Sequence, residues 1–178
     1  MIKLGITIVI SLLLTASISS APSEWKISSG KVFFKSETDY ETITGEGDSI
    51  QGMLDVTSKK IKIEINLGNI KTANKLQTSH MQDNYFEIDK YPISTFEGSV
   101  LDVKENGEVS ALGTLQLHGI KKENITLTGK IEKTLNGLEQ VSYFTISLKD
   151  YQIEVPKLVF LKVNPIIQVK VKILWVIQ

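Results

Sequence analysis

The stretch from Ile61 to Leu67 reads IKIEINL, with apolar side chains at 61, 63, 65 and 67 and polar ones at 62, 64 and 66. Successive side chains of an extended chain point to opposite faces, so this order makes a strand with one buried face. The pattern recurs along the chain. Val109, Ala111, Gly113, Leu115 and Leu117 share one face, as do Ile125, Leu127, Gly129 and Ile131, and again Phe144, Ile146 and Leu148. Near the C-terminus Ile167, Val169, Val171, Ile173 and Trp175 stand opposite Gln168, Lys170 and Lys172. Lys31 to Lys35 (KVFFK) is a further short β-type run.

Turn signals separate these runs. Gly45-Glu46-Gly47-Asp48, Asn106-Gly107 and Asn136-Gly137 read as hairpin connections, and Lys121 to Asn124 as a short polar break. No long helical period lies between the strands, which argues for an antiparallel meander rather than βαβ units. Ala73 to Phe86 is the exception: it lacks alternation and predicts one or two helical turns, with Asp83 as a cap. The expected fold is therefore all-β, an antiparallel eight-stranded barrel with one short helical or loop insertion around residues 73–86. Closure at that strand number also removes the edges that so Val/Ile-rich a chain would expose. At 178 residues, one domain over 22–178 is expected.

A closed barrel with an apolar face turned inward has a lumen that is either filled or holds a small ligand. Gly98, Ala111, Gly113 and Gly129 are inward candidates. Small residues there leave volume, or relieve strain at bulges; the residues alone support both readings.

Composition narrows the function. Lys+Arg and Asp+Glu are equal at 20 each, and Lys59-Lys60, Lys121-Lys122 and Lys170/Lys172 are spaced as solvated faces, so no nucleic-acid partner is expected. Cysteine is absent, which removes disulfides, thiolate catalysis and zinc–thiolate sites. The two histidines, His80 and His118, are far apart in sequence, and no nucleophile elbow, P-loop or dinucleotide fingerprint occurs, so no metal ligands and no catalytic residues are assigned. Residues 1–21 have the layout of a secretory signal peptide: Lys3, an apolar run from Leu4 to Ala16, and small residues to Ala21. That run is too short for a comfortable membrane span, although an uncleaved anchor is the alternative. A periplasmic or secreted location follows, with no stable membrane span after cleavage. The terminal LWVI around Trp175 reads as the closing strand of the barrel or as a homodimer patch.

Between Asn69 and Gly119 the order is specific: Thr72, His80 and Asp83 in a loop, the pair Tyr85-Phe86, then Tyr91-Pro92, a strand ending at Phe96, and ALGTLQLHG ending at His118-Gly119. This order resembles the YceI-like family of small periplasmic proteins. The resemblance implies a lipocalin-like barrel that binds a long apolar lipid of the polyisoprenoid type for storage or transport. It implies a binding protein rather than an enzyme, with no cofactor other than such a lipid. The loop from Lys71 to Phe86 would form the mouth, with Thr72, Asn74, His80, Asp83 and Asn84 near the polar end of the ligand and Met81, Tyr85 and Phe86 in the throat; equally, Met81 and Phe86 would be core plugs that close the barrel end. The expected ligand contacts are Thr72, His80, Met81, Tyr85, Phe86, Phe96, Leu115, Leu117, Phe144 and Ile146. The basic residue that family members carry near the loop's centre has no clear counterpart, Lys75 being nearest, which speaks against a gripped phosphate. His118 is expected to be structural, a strand-end ring held by hydrogen bonds, with Gly119 permitting the turn. Two other readings compete: a packed barrel serving as a stress-response or protein-interaction module, and a lipid-directed enzyme, which needs a histidine facing the lumen beside an acid.

Overall fold

All five odd-numbered residues from Ile167 to Trp175 are buried, at 1–9% exposure, as the alternation requires. They belong to the last strand of a sheet that curls until its two ends meet. A computed structural model describes residues 24–154 and 163–177. Its strands are β1 (Glu24–Glu37), β2 (Thr42–Gly47), β3 (Ile50–Asp55), β4 (Lys60–Asn66), β5 (Lys71–Thr72), β6 (Ile93–Val103), β7 (Glu108–Leu117), β8 (Ile120–Thr134), β9 (Gly137–Ser147) and β10 (Ile166–Ile177). Helix α1 (Lys75–His80) runs on into a π-helical segment, Met81–Phe86. The wall is a closed antiparallel barrel of eight strands in the order β1-β3-β4-β6-β7-β8-β9-β10. It shuts where β10 pairs with β1, from Trp25↔Ile177 to Lys35↔Gln168.

β2 and β5 lie outside that count. β2 and β3 pair with the same edge of β1 in one continuous register, Val32↔Gly47 and Lys26↔Met53. The break between them falls at Asp48 and Ser49, whose amides both donate to Asn69 Oδ1 at 2.9 and 3.2 Å. Gly45 to Asp48 is therefore not a hairpin connection. Gly45 lies under the Phe34 ring, which an added Cβ would meet at 2.2 Å. The break divides the wall: β3 stays paired with β4, while β2 pairs with β5. At this end the barrel splays, and the helix fills the gap.

Asn106-Gly107 and Asn136-Gly137 do join β6 to β7 and β8 to β9. KVFFK is the middle of the 14-residue β1. Lys121 to Asn124 is not a break but part of β8, which carries an extra residue there, with Asn124 at φ +60°.

The barrel's other end is packed. Phe96 is 4% exposed, and a Cβ on Gly113 would stand 2.8 Å from its ring. A Cβ on Gly129 would stand 2.6 Å from Ser142 Oγ, and Gly98 faces Gly113 across the ladder. Of the two readings left open for these small residues, the one that leaves volume does not hold at Gly98, Gly113 and Gly129, where neighbouring groups take up the space. Trp175, 1% exposed, donates to Gln140 Oε1 at 2.7 Å, and Gln140 Nε2 donates to Ser142 Oγ at 2.9 Å, so the polar atoms of this half are paired with one another. Trp175 closes the barrel from within and is not available to a partner surface. The expected leader, residues 1–21, lies outside the described residues. Among the described residues no helix is long and apolar enough to cross a membrane.

Candidate functional site

The splayed end holds a cavity of about 310 Å³. Its floor and walls come from the inward faces of the strands: Ile65 on β4, Leu115 and Leu117 on β7, Phe144 and Ile146 on β9, Ile167 and Val169 on β10, Val32 and Phe34 on β1. Its roof is the helix. Asn74 caps that helix, its side chain accepting from the amides of Leu76 and Gln77 at 2.8 and 3.3 Å. Asp83 does not cap; it accepts from Ser79 Oγ at 2.8 Å one turn earlier.

The π-helical turn determines what the roof shows. With i→i+5 bonding, such as Glu87 N–H to the Gln82 carbonyl, residues four and five apart share a face. Met81, Tyr85 and Phe86 all line the cavity as a result. Met81 is buried and the two aromatics are half-buried; burial raises the Tyr85 phenol above its ordinary pKa. The polar groups of the roof serve one another. Thr72 Oγ1 donates to the Asn74 carbonyl at 2.8 Å, and the Thr72 amide donates to Thr78 Oγ1 at 2.9 Å. His80 Nδ1 lies 3.2 Å from Asn84 Nδ2. What remains for a guest is apolar, with Leu76 66% exposed at the rim.

Three ties hold the roof down. Gln77 Nε2 donates to Glu41 at 3.0 Å. Gln82 Nε2 donates to the carbonyls of Gly68 and Ile70 at 2.8 and 3.1 Å. At the helix end Glu87, in the left-handed region at φ +46°, meets His118: its Oε2 is 2.7 Å from Nε2, while Nδ1 is 3.1 Å from the Tyr151 carbonyl. Tyr91 meets the same ring edge-on, with 4.8 Å between centroids. His118 and Gly119, at φ +52° and +75°, form the two-residue turn between Leu117 and Ile120, with the positive angles such a turn demands. Hydrogen bonds first from Lys90 and then from His118 hold the Glu87 carboxyl below the ordinary glutamate value. His118 is thus a clasp, held at both ring nitrogens.

Of the ten expected contacts, nine stand around this cavity: Thr72, His80, Met81, Tyr85, Phe86, Leu115, Leu117, Phe144 and Ile146. Phe96 does not. It lies one layer deeper, among the walls of a separate void of about 60 Å³ that Trp175 also lines. Unassigned from the loop but present here are Leu67, Ile70 and Leu76, along with Phe34, Ile167 and Val169. Alternation already placed Ile167 and Val169 inside; nothing in the loop's composition marked Ile70 or Leu76. Among the described residues no three His, Asp or Glu side chains gather as a metal site.

The profile of the YceI-like domain matches residues 23–175. The chain belongs to the YceI-like family. Solved structures share its fold. A polyisoprenoid binding domain from Saccharophagus degradans, implicated in plant cell wall breakdown, superposes with a TM-score of 0.73 at 19% identity, over 89% of this chain and 100% of that one. BcnA from Burkholderia cenocepacia gives 0.68 at 15% identity, over 81% and 94%. The YCEI protein of Campylobacter jejuni gives 0.59 at 19%, over 80% and 88%. No curated protein matches the chain. Within this YceI-like barrel the helix-roofed cavity is a concave, mainly apolar site.

Proposed function

We propose that this YceI-like protein is a lipid-binding protein that buries the apolar tail of an isoprenoid-type lipid in the cavity beneath its helix, for storage or transport in the periplasm. The observation that carries the reading is the cavity itself, about 310 Å³ and walled mainly by aliphatic and aromatic side chains, at the end of the barrel opposite the packed Trp175 layer. Burial of each methylene contributes about 0.8 kcal/mol, so an apolar cavity of this kind is a binding device for a hydrocarbon chain. A structural neighbour that is a polyisoprenoid binding domain supports the ligand class, and the leader-like residues 1–21 support the location.

The histidines favour binding over catalysis. His80 borders the cavity but faces an amide, Asn84; His118 has a carboxylate, Glu87, but is not among the cavity walls. Neither supplies an acid–base pair turned toward a guest.

Native mass spectrometry of the protein purified from a periplasmic extract tests the proposal. The expected result is a bound species of several hundred daltons whose solvent extract shows isoprene-unit spacing. A ligand-free mass that persists after incubation with polyprenyl lipids would overturn it and leave a protein-interaction module as the better reading.

A further inference from the structure

Resting on that reading, we infer that the barrel measures its ligand: a stop layer built around Phe96 limits the buried part of the tail to a short segment. The lumen is not one tunnel. The upper cavity and the deeper void share no wall residue. On β6 the change comes in one step, Ser94 lining the upper space and Phe96 the lower. On β10 it takes longer: Val169 lines the upper space, Trp175 the lower, and between them Val171 and Ile173 are buried at 6% and 3% and line neither. The Phe96 ring extends to within 2.8 Å of where a Gly113 side chain would begin, so the glycine is the socket into which the stop fits.

The space above the stop is small. An apolar protein cavity of about 150 Å³ holds one benzene, so about 310 Å³ takes roughly a dozen carbons. That is two to three isoprene units. A longer tail must leave its remainder at the mouth, past the exposed Leu76, where it gains far less from burial. Recognition is then of the tail's terminal segment, and affinity rises with length only until that segment fills the cavity. Each methylene added below that limit strengthens binding about fourfold; each one above it changes little.

A ladder of linear prenyl alcohols, from two isoprene units upward, tests this by displacement of an environment-sensitive naphthalene dye from the full mature chain. The expected curve for the unaltered protein is steep, then flat beyond three units. F96L shortens the stop and moves the plateau to a longer alcohol. L115F, which enlarges the neighbour of Phe96 on β7, raises the floor and moves the plateau to a shorter one, so the test does not hang on one variant. Thermal unfolding of each variant confirms that it is folded before its curve is compared. Affinity that keeps climbing through long alcohols, or a plateau at one length in all three proteins, would overturn the stop while leaving lipid binding intact. Failure of the unaltered protein to take any alcohol would instead overturn the lipid-binding reading, and the stop with it.

Discussion

The two ends of this barrel are built from the same alternating strands, yet one is full and the other hollow. At the packed end each glycine faces a group that uses its space: Phe96 against Gly113, Ser142 against Gly129. A tryptophan, a glutamine and a serine complete the filling with mutual hydrogen bonds. At the open end aliphatic walls with Phe34 and Phe144 leave space between them, the wall itself divides at Asp48 and Ser49, and a helix substitutes for the missing strand contacts. Inward alternation therefore decides which face is apolar but not whether the lumen is empty. That depends on side-chain volume summed across strands that are distant in sequence.

The sharpest way to break this contrast is to truncate one residue at each end. Trp175→Ala should cost about 3–5 kcal/mol, because it leaves a large void and orphans Gln140. Ile146→Ala, which enlarges a cavity already present, should cost about 2 kcal/mol or less, at the bottom of the range for such changes. Urea unfolding with an unchanged slope measures both. Equal costs would mean that the open end is as tightly packed as the closed one.

Phe86→Asp addresses the open end through its guest. Phe86 is half-buried in the roof, so a carboxylate there can reach solvent, and the fold should survive. A charge beside the tail should weaken lipid retention by about tenfold or more. Retained lipid in a destabilised protein would show that Phe86 plugs the end rather than lining it.

Much of this was legible in the sequence, for stated reasons. Strand faces and the barrel class follow from period-two order in β4, β7 and β10, and His118-Gly119 was readable as a hydrogen-bonded turn. The cavity's loop side was less so. Asn74, not Asp83, caps the helix because capping needs an extended residue just before the first turn, and sequence did not locate that turn. The register of the π-helical segment, which turns Tyr85 and Phe86 inward together, depends on tertiary packing. Phe96 lay in the correct face but the wrong layer, since depth along a barrel axis is set by stagger, not by alternation.

The clasp gives a smaller effect. His118→Asn keeps a residue that tolerates positive φ while removing both ring bonds, and should cost about 1–2 kcal/mol. Its pH dependence has a definite sign. Glu87 is held below its ordinary value in the folded state, so its contribution is complete above the unfolded value, about 4.3, and is lost as pH falls through the lower folded one. Melting temperature against pH should therefore fall more steeply in acid for the unaltered protein than for Glu87→Gln, the two curves converging at the lowest pH. Parallel curves would remove Glu87 from the clasp's energetics.

An effect no larger than the clasp's concerns how both ends share one wall. In β8, Ile120 packs against the core and so do Ile125 and Leu127, although 120 and 125 have opposite parity. A straight strand would turn one set outward; the extra residue at Asn124 lets both face in. The same logic holds in β1, where Trp25 and Ile27 give way to Val32 and Phe34 across a register shift between Ile27 and Ser29. It holds again in β6, where the shift between Val100 and Asp102 brings Val103 to the lower void. A parity change in the apolar set is thus the mark of a bulge, and that mark is present in the sequence. Asn124 holds its bulge at φ +60°, where a β-branched residue is strained by about 1–2 kcal/mol and glycine is not. Asn124→Val should therefore destabilise by about that amount, whereas Asn124→Gly should stay within about 0.5 kcal/mol of the unaltered protein by thermal unfolding. Equal tolerance of both would mean that the strand can slip past the bulge, and that the register joining the packed end to the hollow one is set elsewhere.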